Sequence, residues 1–475
     1  MAEQHSAPAT ATTRTTLSMG ELETIAGRVR AANLAFAKRY PGEEATRQPV
    51  HTVYGGAQLF RADAAEKLGG VAMRALEEYA PDPSTLGTAL GIASHPALAA
   101  IHARVVEKLR REPVEDFRID FEDGYGNRPD AEEDGHAAAV GAALAEGMGQ
   151  GSLPAFIGIR IKPLNEELRA RAVRTLDIVL GTVLERAGAL PPRFVVTVPK
   201  ITVLEQAEFA VSVLERLERA HGLAAMTLRF ETMVETPQMV LDASGRSMLP
   251  RVLDASQGRL AGAHFGTYDY TAGVGITAAH QRMRHPACDF AKHAMQVAFA
   301  GTGVWLSDGS TAVLPVAIHR AERGSAKLTA AQQAENRSTV HRAWKLHFDD
   351  VTHSLVGGFY QGWDLHPAQL VSRYAALYAF FLDGLEAAAA RLRHFVERAA
   401  QATLIGDVFD DAATGQGLLN FFLRGINSGA IAEDEVLRLT GLSGAELSGR
   451  SFAAILRNRG GKEAADTDRM DRMPG

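Results

Sequence analysis

At 475 residues, 46% hydrophobic and 22% charged, the chain is long enough for one large domain and one smaller one, and too apolar for a disordered polymer. Its net charge of −6 gives no pull toward nucleic acid or anionic lipid. A single cysteine, Cys288, excludes an internal disulfide and all but excludes a thiolate zinc site, and it reads as a small buried apolar residue.

The first 18 residues are rich in Ala, Thr and Ser and lack the apolar run of a secretion signal, so residues 1–45 read as a disordered tail and a leading helix. Eight β-rich runs then follow in order: HTVYGG (51–56), FRIDFEDG (117–124), FIGIRIKP (156–163), RFVVTVPK (193–200), LRFETMVE (228–235), LAGAHFGTYD (260–269), GVWLSDG (303–309) and GGFYQGWD (357–364). Most carry β-branched or aromatic residues and end in Gly, Pro or a charge. The segments between them are helical in pattern. Residues 165–188 set Leu168, Val173, Leu176, Ile178, Leu180 and Val183 in a broad apolar stripe, and 203–220 do so with Leu204, Phe209, Val211, Val213 and Leu217. Pro237 stands where the first turn of a helix accepts it.

Alternating strands and helices predict a parallel sheet, and eight such units predict closure into a (β/α)8 TIM barrel over residues 46–375. An open doubly wound sheet is the alternative, weakened by the lack of a G-x-G-x-x-G after the first strand. After about residue 375 the strand signals stop; ALYAFFL, LEAAAARLRHFVERAA and GQGLLNFFLRGI predict a C-terminal helical domain over 376–460, and 461–475 read as a disordered tail. No stretch of about 18 apolar residues occurs, so no membrane span is expected, and a cytoplasmic location follows by default.

Catalytic groups of a parallel barrel sit at the C-terminal ends of its strands. The second run ends in Asp120, Glu122 and Asp123, the third carries Arg160 and Lys162, and the fourth ends in Lys200. The fifth carries Glu231 and Glu235, the sixth ends in Asp269 and the seventh in Asp308. Any one of these acids taken singly reads as a loop carboxylate or a helix cap; acids at so many strand ends together point to a site. Oxygen donors without cysteine favour a hard cation such as Mg²⁺, with Mn²⁺ as an alternative. Such an ion takes one or two carboxylates and leaves room for substrate and water. Glu235 and Asp269, on neighbouring strands, fit that need.

With these residues in place, the chain resembles the superfamily of malate synthase, the citrate lyase β-subunit and the HpcH-type aldolases. Asp120-Phe121-Glu122-Asp123-Gly124 resembles its D-x-E-D turn, and Gly158-Ile159-Arg160-Ile161-Lys162-Pro163 its V-R-x-N/P segment. Val198-Pro199-Lys200-Ile201 with Glu205 resembles the P-K-x-E run, and Val234-Glu235-Thr236-Pro237 the I-E-T metal-binding strand end. Phe265-Gly266-Thr267-Tyr268-Asp269-Tyr270 is similar to G-R-W-D-Y of malate synthases and G-x-x-D-L of the lyases. Gly358-Phe359-Tyr360-Gln361-Gly362 with His366-Pro367-Ala368-Gln369 resembles the segment near the eighth strand, and Asp410-Asp411-Ala412-Ala413-Thr414 the E-D-A-A-T of malate synthases. These motifs keep the family's order.

The resemblance implies that Glu235 and Asp269 bind magnesium, which holds a 2-oxo acid such as glyoxylate or pyruvate. It implies that Arg160 stabilises the developing oxyanion, a role suited to a permanent cation with a fork of donors. Asp411 would be the base that deprotonates the carbon nucleophile. Asp120, Glu122 and Asp123 would orient Arg160 or hold the metal's waters, and Lys162, Lys200, Glu231, Gly266 and Thr267 complete the set around metal or substrate. The chain departs from the family in three places. Glu231 competes with Glu235 as the strand's metal acid, and Glu235 is preferred because Thr236 and Pro237 follow it. Lys162-Pro163 follows Arg160 where the relatives differ. Thr267-Tyr268 replaces Arg-Trp of the malate synthases, so malate synthesis itself is not implied.

The implied activity is carbon–carbon bond making or breaking by Claisen or aldol chemistry, with a CoA thioester as an optional co-substrate and homo-oligomerisation left open. Claisen condensation of an acyl-CoA, aldol chemistry on free 2-oxo acids, and a non-catalytic barrel that binds a metabolite or partner protein stand as three alternatives. His51, His264, His285, His319, His341, His347 and His366 read as satisfied polar or core residues, and Trp305 and Trp363 as core.

Overall fold

The computed structural model describes residues 16–42, 46–321, 327–397, 403–405, 408–410, 412–452, 454–455 and 458–459. Two compact units result: Met1–Glu44 with Ala300–Gly303, and Ala45–Phe299 with Val304–Gly475. In the first, the helix Met19–Arg39 is opened by a capping box. Ser18 Oγ accepts the Glu21 N–H at 3.2 Å, and Glu21 Oε2 accepts the Ser18 N–H at 2.9 Å.

In the second unit, eight parallel strands close on themselves in chain order: β1 (His51–Gly56), β2 (Asp116–Asp120), β3 (Phe156–Arg160), β4 (Phe194–Val198), β5 (Arg229–Val234), β6 (Leu260–Phe265), β7 (Trp305–Ser310) and β8 (Gln361–Asp364). β8 pairs back onto β1, with Val53 opposite Asp364. Each expected strand is present. The last one is shorter than the run GGFYQGWD, because Gly357 ends the preceding helix and Gly358, at φ +84°, turns the chain before Gln361. Helices run between the strands, and the apolar stripe of Arg169–Ala187 buries Leu176, Val179, Leu180 and Val183.

The strands are buried on both faces, and their alternation sends a polar set into the barrel. Arg118 donates to Asp116 and to Glu231, at 2.7 Å each. Thr52 donates to Asp116 at 2.8 Å and Thr197 to Glu231 at 2.7 Å. Gly158 makes room for this: a Cβ there would lie 2.0 Å from the Val195 carbonyl and 2.8 Å from Arg118 Nη1. Burial pushes the Glu231 carboxyl up, but Arg118 and then His264 outweigh it and hold Glu231 well below the usual carboxylate range. Glu231→Gln is therefore expected to cost about 3–5 kcal/mol in urea unfolding, by leaving buried Arg118 short of a counter-charge. It should leave divalent-cation binding intact. Lost cation binding at unchanged stability would place Glu231, not Glu235, at the ion.

Beyond the barrel, the helix Gln369–Leu382 is buried nearly all round and packs on Ala330–Val356 and Leu98–Arg111. The region after it is not purely helical, contrary to the sequence expectation. Thr403–Ile405 and Val408–Asp410 pair antiparallel, and Gly406-Asp407 between them in the sequence is a hairpin signal that the helical patterns on either side obscured. Among the described residues no helix is long and apolar enough to cross a membrane.

Candidate active site

The C-terminal ends of β2 to β6 bring seven charged side chains into one network. Asp120 ends β2, and its carboxylate organises the turn after it. Oδ1 accepts the Glu122 N–H at 2.9 Å and Oδ2 the Gly124 N–H at 2.7 Å. The same oxygens take Arg160, at the end of β3, in a fork: Nε donates at 2.7 Å and Nη2 at 2.6 Å. That bidentate geometry fixes the plane of the guanidinium, which a lysine could not match. Arg160 is 4% exposed. Its remaining nitrogen, Nη1, lies 3.2 Å from Glu122 and 3.8 Å from Asp123.

An aromatic floor supports it. The Tyr54 ring lies 4.9 Å from the guanidinium carbon and the Trp363 ring 5.9 Å away, and the two rings stack at 4.4 Å. Trp363 Nε1 donates to His264 Nδ1 at 3.1 Å, which leaves Nε2 of a neutral His264 as the donor to Glu231, 3.1 Å away. The barrel's interior ion network thus reaches up to the mouth through one imidazole.

Lys200 follows β4 and Pro199. Its N–H donates to Glu235 Oε1 at 2.7 Å. Its ammonium pairs with Glu122, lies 3.0 and 3.1 Å from the two Asp123 oxygens, and is 3.7 Å from Asp269. Glu235 follows β5 and is 1% exposed. Burial first, and then the charge of Asp269, push its carboxyl up to about 8, with Arg160 and Lys200 opposing. Asp269 stands in the first turn of the helix Thr267–Gly273 after β6, its side chain 44% exposed.

Gly266 sets the spacing of the two acids. Its N–H donates to the Val234 carbonyl at 3.0 Å, and a Cβ there would lie 2.4 Å from Glu235 Cβ and 2.7 Å from Oε2. Gly266→Ala is expected to cost about 1–3 kcal/mol through overpacking. By turning Glu235 aside it should also weaken divalent binding at least about ten-fold, or 1.4 kcal/mol. Calorimetric titration of the folded variant with Mn²⁺ checks this; wild-type affinity would show that the carboxylate does not depend on this close approach.

Two other candidates lie around the network rather than in it. Lys162 is 6% exposed and donates to the carbonyls of Phe121 at 2.8 Å and Gly126 at 3.4 Å, with Glu133 at 3.3 Å, so it ties down the turn that carries Glu122 and Asp123. Thr267 is buried, and its hydroxyl has no hydrogen-bond partner among the described residues. Asp411 lies outside the described residues. The helix that starts at Ala412 is fastened at its far end, where Arg424 donates to Gln48 Oε1 at 2.9 Å and Asn427 Oδ1 accepts the Gln48 N–H at 2.7 Å. Gln48 precedes β1, at the end of the barrel opposite the carboxylates. Tyr54 was not singled out by the sequence and Trp363 was read only as core, although strand alternation puts both on the barrel's inner face with Thr52 and Gln361.

Among the described residues no group of three or more His, Cys, Asp and Glu side chains is arranged to hold a metal ion. Glu235 and Asp269 form a pair, and a pair suffices for a magnesium-like ion that keeps its other places for water and substrate. The pair fits such an ion in charge as well as donor chemistry. Burial and the Asp269 charge raise the proton affinity of Glu235, and no described residue donates to its Oε2.

Residues 29–455 match the family described as "Domain of unknown function (DUF6986)". No curated protein sequence is similar to the chain. Among solved structures, a citrate lyase from Burkholderia xenovorans LB400 aligns with a TM-score of 0.53 at 18% identity, covering 84% of this chain and 98% of its own. Haloferax volcanii malate synthase in its magnesium and glyoxylate complex aligns with a TM-score of 0.45 at 14% identity, covering 86% and 98%. CitE from Mycobacterium tuberculosis, in complex with magnesium, acetoacetate and coenzyme A, aligns at 0.45 and 12% identity, covering 81% and 100%. The citrate lyase likeness is one of fold.

Proposed function

The chain belongs to the DUF6986 family, and for this member we propose a magnesium-dependent lyase or synthase that makes or breaks a carbon–carbon bond next to the carbonyl of a 2-oxo acid. The observation that carries this is the buried Glu235, 1% exposed and raised to about 8 by burial and by Asp269, within the electrostatic reach of an arginine locked in a fork. Strongly perturbed acids cluster at functional sites, and a barrel's functional sites lie at this mouth.

Glu235 and Asp269 would hold the divalent ion. When bound, that ion supplies positive charge for the carboxylate and carbonyl oxygen of the 2-oxo acid. Arg160 then presents Nη1 to the oxygen on which negative charge develops, as an enolate in one direction or an alkoxide in the other. Because Asp120 and the rings of Tyr54 and Trp363 hold the guanidinium before the substrate arrives, little reorganisation is needed as charge builds. The outward nitrogen must leave Glu122 to do this, and Lys200 remains on Glu122 as its counter-cation. Lys162 keeps the turn bearing Glu122 and Asp123 rigid. Asp411 is proposed as the base on the strength of its motif.

Hydrogen–deuterium exchange from pyruvate and from acetyl-CoA, each with Mg²⁺, tests the proposal by NMR. Exchange from pyruvate alone assigns aldol chemistry on free 2-oxo acids, and exchange from acetyl-CoA assigns Claisen chemistry. Either exchange should vanish in Asp411→Asn. Exchange from neither substrate, with the ion bound, leaves the barrel as a binding protein.

A further inference from the structure

We propose that Lys200 tunes the affinity of Glu235 and Asp269 for divalent cations by acting as their resident counter-charge; this rests on reading those two acids as an ion-binding pair. Lys200 makes two kinds of contact at once. Its backbone N–H donates to Glu235 Oε1 at 2.7 Å and so sets the orientation of that carboxylate. Its ammonium returns over the same cluster, pairing with Glu122 and Asp123 and reaching to 3.7 Å from Asp269 Oδ1.

The backbone shows that this placement is costly. Lys200 has φ +51°, in the left-handed region that favours glycine. A strained residue with a long side chain is kept at a point where glycine would relieve the strain, and that side chain is the one that reaches three acids. Around it stand five acids, Asp120, Glu122, Asp123, Glu235 and Asp269, and the cations beside them are Arg160 and Lys200. Burial works against the Lys200 ammonium, but its bond to Glu122 and the surrounding acids outweigh this and keep it charged. A divalent ion on Asp269 must therefore share that oxygen with an ammonium or drive the ammonium back toward Glu122 and Asp123.

The test is calorimetric titration of the full chain with Mn²⁺ alone, at fixed pH and ionic strength. Lys200→Met removes the charge and keeps the backbone N–H. Lys200→Gly removes the charge and the strain together, so it remains folded if the Met variant does not. Both are expected to bind Mn²⁺ about ten- to a hundred-fold more tightly than wild type, and Lys200→Arg close to wild type. Unchanged or weaker binding in Met and Gly overturns the role of Lys200. Glu235→Gln separates the two claims. If wild type binds Mn²⁺ and Glu235→Gln does not, a failure in the lysine variants falls on Lys200 alone. If neither wild type nor Lys200→Met binds, the carboxylate pair is not an ion site and both claims fall.

Discussion

Glu235→Gln is expected to stabilise the metal-free protein at pH 9 by a few kcal/mol while abolishing its affinity for divalent cations. The sign follows from linkage. The Glu235 carboxyl titrates near 8 in the folded chain, against an ordinary value of 4.5. Below 4.5 both folded and unfolded states hold the proton, and ionisation costs nothing. Between 4.5 and about 8 the unfolded chain releases it and the folded chain does not, so stability falls as pH rises through that window and levels off above it. The shift of several units corresponds to roughly 4 kcal/mol, an upper figure for a buried group. Glutamine keeps an oxygen for the Lys200 N–H and never ionises, so urea unfolding of variant and wild type should agree at pH 4 and diverge by pH 9. Saturating Mn²⁺ should reverse the order, because a ligand that binds only the folded state stabilises it by mass action and the variant lacks the site. A metal-free variant less stable than wild type at pH 9 would mean that Arg160 and Lys200 already outweigh the burial of Glu235.

Arg160→Lys is expected to lower turnover by about 10²–10³, the usual cost of removing one preorganised oxyanion donor, in whichever exchange reaction the protein proves to catalyse. Lysine keeps the charge but cannot fork onto Asp120, where Arg160 places Nε and Nη2 at 2.7 and 2.6 Å, and so cannot hold a third donor in a fixed direction. Stability should fall by only about 1–3 kcal/mol, since Asp120 retains both backbone donors and a cation. Mn²⁺ affinity should stay within a few-fold of wild type. Turnover unchanged in the folded variant would remove Arg160 from the chemistry.

Much of this arrangement was legible because a barrel turns a one-dimensional signal into a place. Charged residues at the ends of β-rich runs gather toward the mouth, so Asp120, Arg160, Lys200, Glu235 and Asp269 were legible together. Asp308 instead pairs with Lys292 and Ser354 of the surrounding helices. What lies beneath the mouth was not legible. Arg118 and Glu231 are 113 residues apart, and nothing local links them. Strand alternation alone would have put Arg118, Tyr54, His264 and Trp363 on the inner face, but not which of them touch. Gly266 matched a motif, yet its reason, the Cβ of Glu235 beside it, belongs to a neighbouring strand. Glu231 and Glu235 competed on paper because they share a strand; four residues further along, one meets Arg118, Thr197 and His264 inside the barrel and the other meets Lys200 at its rim. The pairing of Thr403–Ile405 with Val408–Asp410 was overlooked because three-residue strands carry little pattern between two helices.

Glu235 and Asp269 are proposed to share one divalent ion. Anomalous diffraction from a crystal grown with Mn²⁺ tests it most directly. A single peak is expected within about 2.0–2.4 Å of one oxygen from each carboxylate, on the side of the barrel mouth that Arg160 faces. A peak bound elsewhere, or no peak at saturating Mn²⁺ with the Lys200 ammonium still against Glu122 and Asp123, would contradict it.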